Sequence, residues 1–182
     1  KADGSYEPLA MGTADQWEAA TMGYTNIGPN YWQGEEGRKA LIAGEAKLSD
    51  EEFVAPFRTI ARWAEYMPAG FEAQSYPDSQ NLFTLGRAAI YPTGSWEISP
   101  FQRDAFFEMG AFKPPVQNAG DPCFISDHVD IGMGINTASP NQEAARTFIE
   151  WAGSAEFAAL YSNALPGFFS HSSPPIQLGD PP

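Results

Sequence analysis

Cysteine is nearly missing from this 182-residue chain, and Cys123, the single one, excludes both a disulfide framework and a thiolate metal site within one chain. Histidine is almost as scarce, only His128 and His171 being present. No His-Glu-x-x-His zinc motif, P-loop, nucleophile elbow or dinucleotide glycine fingerprint occurs, and no Asp-x-Asp-x-Asp-Gly calcium loop. No metal and no cofactor is therefore expected. Basic residues are few, 10 Lys and Arg against 23 Asp and Glu, and the formal net charge of -13 is spread along the chain. Nucleic acid and anionic membrane surfaces are poor partners for such a charge. No apolar run approaches the roughly 18 residues of a membrane span, so direct membrane insertion is not expected. The N-terminus also lacks the basic and apolar regions of a signal peptide; an exported protein would carry that signal elsewhere. The opening Lys1-Ala2-Asp3 falls in mid-pattern and the last residues are Gly179-Asp180-Pro181-Pro182, so the chain reads as part of a longer protein.

Apolar residues make up 43% of the chain and aromatic ones 14%, enough to bury a core. Thirteen Phe, seven Tyr and five Trp in an acidic, Lys-poor chain suit a protein that stacks rings on a neutral ligand, as well as one that fills a core with them.

Turn and capping signals divide the chain into alternating elements. Tyr6 to Met11 reads as a strand ending at Gly12, and Thr13 with Gln16 as a capping box for a helix bearing Trp17, Ala20, Thr21 and Tyr24 on one face. Thr25 to Gly34 is an aromatic loop. Ser49 with Glu52 predicts a second capped helix, with Phe53, Phe57, Ile60, Ala61 and Ala64 at helical spacing and Pro56 either separating its first turn or opening its regular part. Asp78 can cap a short helix through Leu85, ended by Gly86 and followed by a buried strand over Ala88 to Tyr91. Phe106 to Val116 and Ile131 to Ile135 read as further strands. Ser139, Pro140 and Gln142 predict the start of a helix bearing Phe148, Ile149 and Ala152, and Ser154 caps the next one through Tyr161. Helices alternating with short buried strands indicate an α/β layered fold.

Two segments carry a family resemblance. Phe83 to Trp96, FTLGRAAIYPTGSW, resembles the Phe, two residues, Gly-Lys-Ala-Ala-Met, then Gly-x-Trp signature of family 1 extracellular solute-binding proteins of ABC transporters, the group that includes maltose-binding protein. Arg87 stands in place of the Lys and Ile90 of the Met. Ile131 to Trp151, IGMGINTASPNQEAARTFIEW, followed by Ser154-Ala155-Glu156-Phe157, resembles the family's second crossing strand and the helix pair after it. The similarity runs from about Pro8 to Gly167. It implies a periplasmic binding protein type II fold, mostly the second lobe with part of the first lobe's helices. Residues 1–12 would be the first crossing, 13–130 the incomplete second lobe, 131–136 the return crossing, 137–165 helices of lobe one and 166–182 a truncated return segment. Implied too are a carbohydrate or polyol ligand, membrane ABC permease subunits as partners, hinge closure of two lobes, and export to a periplasmic or extracellular place.

A sugar presents hydroxyls on a ring with an apolar face, so its site needs an aromatic wall and short polar groups. Trp96 best fits the wall, with Gly94 and Ser95 beside it at a strand end; the bland reading is a Trp plugging the core. Trp17, Tyr31 and Trp32 are further wall candidates, Trp17 having a packed helical face as its alternative. Asp78, Ser79 and Gln80 either cap their helix or reach the cleft. Asp127, His128 and Asp130 stand where the family often has a Gly-Gly pair, and either bond the ligand, Asp130 foremost, or form a solvated loop. Trp63 and Trp151 belong to helix packing. The expected function is sugar binding without catalysis. The rivals are a glycoside hydrolase working through paired carboxylates and a non-catalytic interaction scaffold. With one lobe largely missing, this chain alone is expected to bind ligand weakly or not at all.

Overall fold

The computed structural model describes residues 5–129 and 131–168. They fall into two compact units, the first drawn from Lys1–Gly94 and Asp104–Asp127, the second from Ser95–Arg103 and His128–Pro182.

In the first unit, β1 (Glu7–Leu9) and β2 (Ala88–Ile90) pair in parallel, Glu7 opposite Ala88 and Leu9 opposite Ile90. The ladder is prolonged by Glu7 N–H donating to the Arg87 carbonyl (2.7 Å) and Ala10 N–H to that of Ile90 (2.8 Å). Both expected strands are thus present, though shorter. A parallel pair needs a long crossover, and here the crossover carries the helices of this unit. Leu9, Met11 and Met67 are buried together, with Ala19, Trp63 and Phe71 packed against them. Trp63 is therefore a packing residue, as its helical register indicates.

Past β1 the chain is held tightly: Thr13 and Ala14 N–H groups donate to the Phe71 and Gln74 carbonyls at 3.0 and 3.1 Å. A Cβ on Gly12 would overlap the Gln74 carbonyl. The Thr13/Gln16 capping box does not form. Gln16 N–H donates to the Thr13 carbonyl and Gln16 takes a φ of 60°, which closes a turn instead of opening a helix. The helix that follows is wound wide, as a π-helix, over Glu18–Tyr24, and continues through α1 (Thr25–Ile27) and a 3₁₀ turn over Gly28–Asn30. Much of the expected aromatic loop is therefore helical.

α2 (Glu35–Ala43) ends on Gly44 in the left-handed conformation, φ 75°, as helices commonly do. α3 (Glu51–Trp63) begins after Asp50, not Ser49; the Asp50 carboxylate accepts the Lys47 N–H at 2.8 Å. The helix runs unbroken through buried Pro56, and burial of that ring with Phe53 offsets the one lost backbone bond. α4 (Tyr76–Thr84) starts from Ser75, with Asp78 as reciprocal partner in a capping box, and Gly86 at φ 66° follows it.

Two expected strands are absent. Residues 106–116 and 131–135 run irregularly, with Phe106 and Phe112 97% and 75% exposed and Ile131 and Met133 more than half so. An isolated strand leaves its N–H and C=O groups unpaired. Among the described residues β1 and β2 pair only with each other, and Pro114 and Pro115 remove two donors from the first segment.

The regular elements of the second unit, among its described residues, are all helical. A 3₁₀ turn over Ser95–Glu97 leads into α5 (Ile98–Asp104), and α6 (Gln142–Ala152) packs near α7 (Ala155–Ala164). α6 starts later than expected, because the Ser139 hydroxyl accepts the Asn141 N–H and the Gln142 side chain bonds the Thr137 carbonyl, making a separate turn. Ser154 caps α7 by accepting the Phe157 N–H at 3.2 Å. Trp151 sits edge-on to Phe157, ring centroids 4.9 Å apart, in its expected packing role.

Candidate ligand-binding surfaces

Three surfaces carry the residues singled out by sequence. The first, in unit one, lies where the chain leaving β1 meets the start of α4. Trp17 keeps 38% of its surface exposed and meets Tyr76 edge-on at 4.7 Å. Asp15 fixes Tyr76 from below by accepting its backbone N–H at 2.6 Å. Asp78 accepts both the N–H and the hydroxyl of Ser75, at 2.9 and 2.7 Å, and these bonds hold its carboxyl below the usual carboxylate range. Asp78 is thus engaged in capping, while remaining exposed beside Trp17's partner. Ser79 is buried, its hydroxyl accepting the Gly12 N–H at 2.8 Å. Gln80, half-buried, follows on the same helix.

Beneath Trp17 lies a residue that sequence reading passed over. Glu18 has no exposed surface, and both its carboxyl oxygens are buried without a hydrogen bond. Burial pushes its pKa up to about 7; the nearby Ser79 hydroxyl and Gly12 N–H oppose the shift, and the charges of Asp15 and Asp78 add to it. The signal was faint: an acid directly after an aromatic at a helix start, where neighbouring residues point to different faces.

The second surface, also in unit one, surrounds Tyr31 and Trp32. Trp32 stacks on Phe53 (5.3 Å, 17°) and tilts against Tyr24 (5.4 Å), whose ring in turn stacks on Phe57 at 4.1 Å. The Trp32 ring presses on Gly28 so closely that no Cβ fits there. Tyr31 shares a 2.7 Å hydrogen bond with the Thr59 hydroxyl. Beside these rings opens a pocket of about 440 Å³ that Gln33, Glu36 and Glu52 also line. Trp32 gives part of its ring to packing, and the pocket meets the rest.

The third lies in unit two. Trp96, half-buried, and exposed His128 place their rings edge to face at 6.3 Å. Gly167, at φ +99°, lies so close to the Ser95 carbonyl that a Cβ there would overlap it, and the Ser99 hydroxyl donates to the Pro166 carbonyl at 2.7 Å. Glu97 is 1% exposed, and burial raises its pKa to about 7. Gly94 ends the first of the two stretches that make up unit one, and Asp130 lies outside the described residues. The structure therefore sets Trp17 against Tyr76 on the helix that carries Asp78 and Gln80, places Tyr31 and Trp32 on one pocket, and brings Trp96, next to Ser95, against His128.

A family model for the bacterial extracellular solute-binding proteins matches residues 1–159. The chain belongs to this family. No curated protein sequence matches it. Among solved structures, one titled "SBP RafE in complex with raffinose" is similar with a TM-score of 0.67 and 19% identity over 98% of this chain and 47% of that one. A "Chitin oligosaccharide binding protein" is similar with a TM-score of 0.63 and 22% identity over 98% of this chain and 44% of that one. The chain thus spans about half the length of the solved relatives it matches. These likenesses give the solute-binding protein its fold, the α/β periplasmic binding protein type II architecture, of which this helix-rich chain is a part.

Proposed function

We propose that this solute-binding protein takes a carbohydrate or polyol and delivers it to the permease subunits of an ABC importer by closure of two lobes. The observation that carries the ligand class is the pair of surface-bearing tryptophans: Trp17 on Tyr76, whose helix also carries Asp78 and Gln80, and Trp96 with Ser95 and His128. Aromatic faces take the apolar side of a sugar ring, and carboxylate, amide and hydroxyl groups take its hydroxyls. Two of the similar solved proteins, one in complex with raffinose and the other a chitin oligosaccharide binding protein, take ligands of the same class. In this reading residues 1–12 and 131–136 are the crossings, 13–130 the second lobe, 137–165 helices of the first lobe and 166–182 the return segment, and the protein works outside the cytoplasm.

The reading is of binding without catalysis. Glu18 and Glu97, the two carboxyls whose pKa rises to about 7, expose 0% and 1% of their surface, so neither presents an acid to a glycosidic oxygen. The test is a thermal-shift screen of the full two-lobed protein that contains this chain, and of its Trp96→Ala variant, against sugars and polyols. A shift of several degrees with one sugar, lost in the variant, supports the reading. No shift with any of them, or turnover of a chromogenic glycoside, overturns it.

A further inference from the structure

Glu18 opens the π-helical segment, at a seam where three parts of unit one meet. The chain leaving β1 donates the Gly12 N–H to Ser79 of α4 in a buried 2.8 Å bond. The Glu18 carboxyl shares this seam, close to both of those groups. Its side chain has no solvent contact and both of its oxygens are buried without a hydrogen bond. The charged and titratable groups that act on it are Asp15, before the segment, and Asp78, on α4; the Tyr91 phenol, beyond β2, in turn feels the Glu18 charge. No cation is among them. A desolvated carboxylate with no counter-charge and two like charges near it is disfavoured by more than the nearby Ser79 hydroxyl and Gly12 N–H offset, whereas the neutral acid keeps an O–H donor for the same seam.

We propose that Glu18 is a proton-operated latch: with the proton on, the seam between the end of β1, the π-helical segment and α4 stays closed, and with it off, the carboxylate draws in water and the Gly12–Ser79 bond opens. Its pKa of about 7 puts the change near neutrality. Trp17, the next residue, rests on Tyr76 of α4, so opening the seam also loosens that ring pair. The latch does not rest on the sugar reading, and its test needs no ligand.

The test combines two measurements on the chain and on Glu18→Gln. The first is a carbon-13 titration of the Glu18 side-chain carboxyl, assigned through its own backbone so that it holds even if the variant folds poorly. The second is amide hydrogen exchange at Gly12 between pH 6 and pH 8, corrected for base catalysis. The expected result is a carboxyl midpoint near neutrality and a protection factor at Gly12 that falls about tenfold in the chain but stays level in the variant. A midpoint in the ordinary carboxylate range, level protection in the chain, or an equal fall in both proteins overturns the latch.

Discussion

Each unit carries a Trp-Glu pair near the start of a helical segment, Trp17-Glu18 in one and Trp96-Glu97 in the other. In both, the ring keeps surface and the acid loses it, and in both the acid's pKa rises to about 7. The routes differ. Glu97 is shifted by burial alone, while Glu18 is shifted by burial and then pulled both ways by Ser79 and Gly12 on one side and Asp15 and Asp78 on the other. Adjacent residues at a helix start face different directions, so one dipeptide can present a flat ring outward and place a proton inside. Like proton affinities therefore do not mean like surroundings, and the surroundings determine what a perturbation does.

The largest effect is expected from the glycines that hold the two segments close. Gly12→Ala drives a Cβ into the Gln74 carbonyl, and Gly167→Ala does the same to that of Ser95 from a φ of +99°. Each should lose about 3 kcal/mol of stability by denaturant unfolding; a loss confined to one of them would show that only that segment is rigidly packed. Next comes the proton. A carboxyl with a higher pKa folded than unfolded keeps a proton the unfolded chain has released, so stability falls as pH rises from about 4.5 to about 7 and stays low above it. Glu18→Gln and Glu97→Gln should each be more stable than the parent at pH 8, by about 2 kcal/mol, and close to it at pH 5. The comparison sharpens with Asp15→Asn plus Asp78→Asn. That double change should lower the Glu18 titration midpoint and leave Glu97 where it is; movement of both midpoints would show that the two acids share surroundings after all. Ser75→Ala, which removes the cap of α4, should cost about 1 kcal/mol in thermal unfolding. The smallest effect belongs to Arg58→Ala. Its ion pair with Glu51 is more than half exposed on both sides, and its loss should change stability by under about 0.5 kcal/mol.

Sequence reading found what local chemistry controls. The Ser154 cap, the Gly86 stop, the presence of strands at β1 and β2 and the packing of Trp63 and Trp151 all follow from residues within a few positions of one another, or from apolar runs that have no other place to go. It failed where the outcome depended on distant partners. Phe106 to Val116 and Ile131 to Ile135 have strand composition but no ladder neighbour among the described residues, so they stay irregular. Thr13 and Gln16 spell a capping box, yet the Phe71 and Gln74 carbonyls claim the backbone there first. Among the candidate site residues, aromatic character pointed to Trp17, Tyr31, Trp32 and Trp96, all of which retain surface. Glu18 was illegible because nothing in a string of 23 acids marks the one that loses all contact with water.

The β1 and β2 pairing joins residues roughly eighty positions apart, and a chain must close that whole intervening loop before a single rung of the ladder forms. The helices between them need no such wait, since their bonds are local. On that ordering the sheet assembles after the helices of unit one. The Gly12–Ser79 seam, three residues past β1, would then open before those helices when the protein is heated or stretched.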